Sequence, residues 1–254
     1  MFKAFVCASL GLRRCTYGCL FFGGFMTKFK FNYFSKLEII LWFSSVTLII
    51  LSFFIFDREN YLTLIASLIG VTSLIFSAKG NPFGQLLMII FSLFYGIISY
   101  TFSYYGEMIT YLGMTMPMAV FALVSWLRNP YNGNKSEVKV NTIGKTETLL
   151  MWVLTGFITL AFYFILKYFN TANLLPSTIS VTTSFLAVYL TFRRSPYFAL
   201  AYASNDIVLI VLWVMASISD IKYISVIVCF IAFLINDIYG YVNWQKMKIR
   251  QNKG

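Results

Sequence analysis

This chain reads as an all-α polytopic membrane protein of eight transmembrane helices. Three observations say so. It is 59% hydrophobic and only 11% charged, with mean hydropathy +0.76. Its apolar residues fall into eight segments, each long enough for a helix to cross a bilayer core, which takes roughly 17–25 residues. Its charge collects in the short connections, almost all of it on alternate ones. A β-barrel would show shorter, alternating segments, which this sequence lacks.

The expected spans are Leu37–Phe56, Tyr61–Ser77, Phe83–Phe102, Met108–Leu127, Leu149–Phe169, Asn173–Phe192, Phe198–Ala216 and Tyr223–Val242. If the chain changes side at each, 17 of the 20 Lys and Arg residues share the side of the N-terminus. They lie in the N-terminal arm, at Lys79, in the 128–148 loop, at Arg193-Arg194 and in the C-terminal tail. Arg58, Lys167 and Lys222 are on the other side, with Asp57, Glu59, Glu107 and Asp220. The positive-inside rule then makes both termini cytoplasmic, which needs an even number of spans. The net charge of +11 is thus accounted for by topology, and a nucleic-acid partner is not implied.

Cys7, Cys15 and Cys19 are expected in the cytoplasmic arm and Cys229 in a span, so they read as free thiols and not as a disulfide framework. With no histidine and no paired cysteine spacing, no metal site or cofactor is expected. Residues 1–25 lack the clean apolar run and small-residue cleavage site of a signal peptide. Met26 is the expected start of the functional chain.

An internal repeat organises the spans. One helix ends at Ala78-Lys79-Gly80-Asn81-Pro82, another at Arg193-Arg194-Ser195-Pro196, and each is followed by a span, an acidic turn and a helix ending in Trp. The Pro-to-Trp spacing is 44 residues in one copy and 48 in the other. Three spans reverse the chain's direction, so the fifth helix between the copies makes them parallel, related by an axis along the membrane normal as in SWEET-type transporters. The expected organisation is a cytoplasmic arm over 1–36 and an extra first helix over 37–60. A three-helix bundle over 61–128, a loop and linker helix over 129–172, a second bundle over 173–246 and a basic tail over 247–254 complete it. Pro176 falls in the first turn of its span. Pro117 falls mid-span, where it removes a backbone hydrogen bond and is expected to bend the helix.

Two Asn-Asp pairs lie inside apolar spans, Asn205-Asp206 and Asn236-Asp237. A carboxylate in lipid costs several kcal/mol, so such residues mark a protein-lined cavity and a substrate or ion path. Asp206 is about ten residues past Pro196, roughly 15 Å deep at helical rise, and Ser92 has the same offset from Pro82. Gln85, Ser92, Asn205, Asp206, Asn236 and Asp237 are the candidate polar site. Tyr95, Trp213 and Tyr239 would be its aromatic walls, an arrangement suited to a planar, cationic ring. Trp126 and Trp244, at helix ends, read as an interfacial belt. There is no nucleophile–base pair for an intramembrane enzyme, and no selectivity filter for a channel.

The segments GVTSLIFSAKGNPFGQLL (Gly70–Leu87), SLFYGIISY, YYGEM and NDIYGYVNW (Asn236–Trp244) resemble the PnuC family of bacterial vitamin transporters. The resemblance implies a SWEET-like fold, a 3+1+3 parallel repeat with one extra N-terminal helix, usually as a homotrimer in the plasma membrane. It implies transport of nicotinamide riboside by facilitated diffusion with alternating access, and a cytoplasmic kinase that traps the product as nicotinamide mononucleotide. A proton-coupled carrier of thiamine, riboflavin or deoxynucleosides is the alternative. The family's central-site Asn maps onto Asn205, and that of the last helix onto Asn236 or Asp237. Phe91-Ser92 stands where the first repeat would carry an Asn, and Asp206 where an apolar residue is expected. Both departures bear on the substrate.

Overall fold

The computed structural model describes residues 33–101, 105–171 and 173–253. The cysteines of the N-terminal arm, Met26 and Phe102 lie outside them. Backbone contacts divide the chain into two compact units, Met1–Ile39 and Ile40–Gly254. In the first, Ser35 and Glu38 form a reciprocal capping box: Glu38 Oε2 accepts the Ser35 N–H at 2.7 Å and Ser35 Oγ accepts the Glu38 N–H at 3.3 Å. Two orphan N–H groups at the start of a helix are thereby satisfied.

Among the described residues, eight helices are long and apolar enough to cross a membrane. They are α1 (Lys36–Phe56), α2 (Tyr61–Ala78), α3 (Phe83–Thr101), α4 (Tyr105–Arg128), α5 (Lys145–Tyr168), α6 (Leu174–Phe192), α7 (Phe198–Ser217) and α8 (Ile224–Lys253). These match the expected spans within a few residues, with three differences. Helix α8 carries on through the basic tail. Helix α4 starts early enough to bury Glu107, which the sequence placed in a loop. The expected polar loop contains a hairpin, β1 (Pro130–Tyr131) with β2 (Asn134–Val138). Its two-residue turn, Asn132-Gly133, has φ of 47° and 76°, the left-handed pair that an Asn-Gly hairpin turn requires.

Helix α4 is not α-helical throughout. Thr110–Thr115 form a π-helical turn, in which the Met116 N–H reaches back to the Tyr111 carbonyl. Pro117 follows directly, in the first turn of the α-helical segment Met116–Arg128. The missing proline N–H is absorbed by that widened turn.

Six of the helices close into a ring. Helix α2 packs on α3, α3 on α4, α4 on α6, α6 on α7, α7 on α8, and α8 back on α2. Helix α5 lies outside against α6, where Thr159 and Thr182 share a 2.9 Å hydroxyl contact. Helix α1 is tied on by Trp42, whose indole donates to Thr72 at 3.1 Å. Apolar faces of α1 and α5 remain exposed, including Phe43, Phe54, Phe157 and Phe164. Faces of that kind suit lipid.

The α2–α3 contact is very close. A Cβ at Gly84 would lie 2.7 Å from the Ser77 nitrogen and 2.9 Å from the Ser73 carbonyl oxygen. Its absence lets Ser73 Oγ donate to the Gly84 carbonyl at 2.8 Å.

At the basic face, α2 and α6 end in the same hydrogen-bonded motif. Gly80 N–H bonds to the Ser77 carbonyl and Asn81 N–H to that of Phe76; Arg194 N–H bonds to Thr191 and Ser195 N–H to Leu190. Gly80 and Arg194 have φ of 67° and 57°, the left-handed residue of a Schellman cap. The Arg194 guanidinium donates to Ser125 Oγ at 3.2 Å, which offsets the strain of that conformation in a non-glycine residue. Trp126 and Trp244, expected in an interfacial belt, are fully buried here. Their indole N–H groups satisfy carbonyls at these two helix ends, so they face protein and not headgroups.

Candidate transport site

The ring encloses a cavity lined by residues of all six of its helices. Gly70 and Leu74 come from α2, Met88 and Phe91 from α3, and Tyr111 and Thr115 from α4. Ser184 is on α6; Tyr202, Asn205 and Asp206 are on α7; Phe230, Phe233 and Asp237 are on α8. The free space is about 40 Å³, enough for a very few water molecules. A nucleoside-sized guest needs the helices to part.

Asn205 is the best-organised polar group. Its Oδ1 accepts from Thr183 at 2.8 Å, Ser184 at 3.1 Å and Ser180 at 3.3 Å. These three hydroxyls lie on one face of α6 at i, i+3 and i+4, the spacing that places side chains together. They fix the amide's orientation at the cavity wall.

Asp206 and Asp237 come from neighbouring helices and line the same cavity. Each residue is 4% exposed. Among the described residues no ion pair involves either, whereas Arg193 pairs with Glu147, Lys222 with Glu59 and Arg250 with Glu137. Two of these pairs, Arg193–Glu147 and Arg250–Glu137, belong to the basic face.

The other expected site residues are distributed differently. Asn236 points away from the cavity: its Nδ2 donates to Ser45 of α1 at 2.9 Å and to the Ala232 carbonyl at 2.8 Å. Gln85 donates to Ser77 at 3.2 Å, and Ser92 to the Met88 carbonyl at 2.8 Å. Gln85 thus ties α3 to α2, Ser92 bonds within its own helix, and both lie outside the residues that line the cavity. Tyr239, on α8, is also outside them.

Tyr95 and Trp213 line a second cavity, open at the opposite end from the basic face, together with Asp57, Asn60, Asp220 and Lys222. The Tyr95 ring lies 4.4 Å from Tyr111 and 6.4 Å from Phe230, centroid to centroid. Those two rings line the inner cavity, so an aromatic layer separates the two chambers. In the outer chamber Trp213 stands 5.2 Å from Tyr223. Lys222, in the α7–α8 connection, hydrogen-bonds Glu59 of the α1–α2 turn at 2.8 Å and holds that carboxyl below its ordinary range.

Tyr111, Ser184, Phe230 and Phe233 were not singled out from the sequence, and Phe91 was noted only as standing where an Asn would be expected. The hydroxyl row Ser180, Thr183, Ser184 was legible by its spacing. The aromatic residues were not, because in a chain with 27 Phe and 17 Tyr an inward-facing ring carries no signal of its own.

A six-helix ring around a chamber with one polar wall, flanked by a second chamber behind aromatic rings, is a design for moving a solute. The profile of the nicotinamide mononucleotide transporter family matches residues 60–246. The chain belongs to the PnuC family of membrane transporters. Similar to it is the nicotinamide riboside transporter PnuC of Neisseria mucosa, 26% identical over 204 residues, covering 78% of this chain and 77% of the relative. That of Haemophilus influenzae is 25% identical over 202 residues, covering 76% and 83%. A crystal structure of the vitamin B3 transporter PnuC has the same fold, with a TM-score of 0.75, covering 86% of this chain and 94% of that one at 22% identity. Membership makes this protein a transporter and not an enzyme.

Proposed function

We propose that this PnuC-family protein carries nicotinamide riboside across a bacterial plasma membrane by facilitated diffusion, with the inner cavity as its substrate site. The observation that carries the reading is the convergence of all six ring helices on one chamber. That chamber holds an oriented amide, two carboxyls and aromatic rings. Asn205, with hydroxyls from Ser184 and Thr115, would bond the ribose and carboxamide. Tyr111, Tyr202 and Phe91 would pack on the ring, and the carboxyls suit its positive charge. The names of the two curated relatives support the substrate.

The mechanism is alternating access. The aromatic layer around Tyr95 opens the chamber to the outside, and parting of the basic-face helix ends opens it inward. The two halves of the ring are the three-helix bundles of a SWEET-like parallel repeat, α2–α4 and α6–α8, with α5 as linker and α1 as an addition. Both termini are cytoplasmic by the charge asymmetry, the apolar outer faces join a homotrimer, and a cytoplasmic kinase traps the imported riboside.

The test is binding of nicotinamide riboside, nicotinamide mononucleotide, thiamine, riboflavin and deoxynucleosides to the purified protein and to N205A and D206A. Binding of nicotinamide riboside that both substitutions abolish supports the substrate and the site. Binding of a different compound keeps the site and replaces the substrate, and binding indifferent to both substitutions rejects the site.

A further inference from the structure

The outer chamber carries chemistry that a mere opening onto the inner cavity does not require. Asp57 lines it from the α1–α2 turn and Asp220 from the α7–α8 connection. Asp57 is 4% exposed, yet among the described residues its carboxylate is bonded by the neutral Asn60 alone. The Asn60 side-chain amide donates to its two oxygens at 2.8 and 2.9 Å, and the Asn60 N–H to Oδ1 at 3.4 Å. Asp220 Oδ1 accepts the Lys222 N–H at 2.9 Å. The cations of this rim are engaged elsewhere: the Lys222 ammonium pairs with Glu59, and the Arg58 guanidinium donates to the Phe54 carbonyl. Among the described residues no ion pair involves Asp57 or Asp220.

A carboxylate held away from water without a cation is costly, and a cationic guest offsets that cost. The other walls say what kind of cation. Trp213, Tyr223 and Tyr95 line the same chamber, and the first two rings stand 5.2 Å apart, tilted by 47°. Aromatic faces attract a planar organic cation by stacking and by cation–π attraction, and tryptophan does so best. Because the chamber opens outward, a guest can seat its ring there and leave its polar part in water. We propose that the outer chamber is a second binding site, which takes the planar ring of an organic cation against Trp213 and Tyr223, beside Asp57 and Asp220. Its place as the entrance to the inner cavity rests on that cavity being the substrate site. A cation held there waits behind the Tyr95 layer, and the acidic rim raises its local concentration. Such a site speeds loading from outside and leaves net transport passive.

The test is fluorine NMR of the purified full chain labelled with 5-fluorotryptophan, which gives one signal for each of its five tryptophans. Trp213→Phe assigns the signal of interest. The probes are N-methylnicotinamide, a permanent pyridinium cation without a ribose, and nicotinamide, the same ring uncharged. The expected result is that the cation shifts the Trp213 signal and leaves those of Trp126 and Trp244, at the basic face, in place. Nicotinamide at the same concentration leaves all of them in place. The shift persists in N205A, whose inner site is impaired, and in D57N/D220N it needs roughly tenfold more cation or more. The wild-type comparison of charged and uncharged probes decides the matter even if the double variant does not fold. A Trp213 signal that the cation does not move, that nicotinamide moves equally, or that no longer responds in N205A overturns the second site, as does a response untouched in a folded D57N/D220N. A cation response at Trp213 in a protein that neither binds nor carries nicotinamide riboside keeps this site and overturns the substrate of the proposed function.

Discussion

Trp126 and Trp244 lie with ring centroids 5.3 Å apart, and each closes the end of the neighbouring helix in the ring. Trp126 donates to the Thr191 carbonyl at 2.9 Å and Trp244 to the Ser77 carbonyl at 2.8 Å. The residue before each does the same one position on: Ser125 donates to the Phe192 carbonyl and Asn243 to that of Ala78. Helix α4 thus caps α6, and α8 caps α2, through equivalent pairs of carbonyls. Such a reciprocal exchange is what a parallel repeat about an axis between the two tryptophans would produce.

Replacing either tryptophan by Phe keeps a ring but leaves a buried carbonyl with one bond fewer. Each single substitution is expected to cost about 1–3 kcal/mol. Because the rings touch, the double variant should depart from additivity by about 0.5 kcal/mol or more. Thermal unfolding of the detergent-purified protein measures both, and strict additivity would argue against a shared lock.

Gly84→Ala should destabilise by about 1–3 kcal/mol. The added methyl meets the α2 backbone at Ser77, which cannot swing aside as a side chain would. Gly70→Ala differs, since its methyl would meet the Phe233 ring and that ring borders the cavity. Loss of ligand affinity with a smaller loss of stability is the expected signature, read by titration and melting on the same sample.

Asn205 and Asn236 are sequence twins with different surroundings. Asn205→Ala is expected to lower ligand affinity at least tenfold, about 1.4 kcal/mol. Asn236→Ala should cost about 1–2 kcal/mol of stability by releasing the Ser45 tie to α1. Equal effects of the two substitutions on affinity would contradict this division.

The Lys222–Glu59 pair gives the expected pH dependence at the outer rim. Its folded-state carboxyl lies lower than in the unfolded chain, so its contribution is present above the ordinary carboxylate range and is lost as pH falls through the lowered value. Both groups reach water, so the effect is small. Glu59→Gln should leave the neutral-pH melting temperature unchanged within error. A clear drop would mean the pair holds the α1–α2 turn in place.

The spans were legible because every backbone group in lipid must bond within its own helix, which forces long apolar segments. Asn205, Asp206 and Asp237 were legible as candidates because polar residues are costly there. The orientation of Asn236 was not, since its partner Ser45 is 191 positions away in sequence and the seating of α1 is a tertiary fact. The tryptophans misled for the same reason: the carbonyls that take their N–H groups belong to other helices. The Asn132-Gly133 hairpin, by contrast, was available from its dipeptide alone.

The most direct test is uptake of labelled nicotinamide riboside into proteoliposomes holding either the wild-type protein or Asn205→Ala at equal density. The account predicts saturable uptake by the wild type, and its loss in a variant that still folds and reconstitutes. Absence of uptake by the wild type, or uptake untouched by Asn205→Ala, would contradict the claim that solute crosses through this chamber.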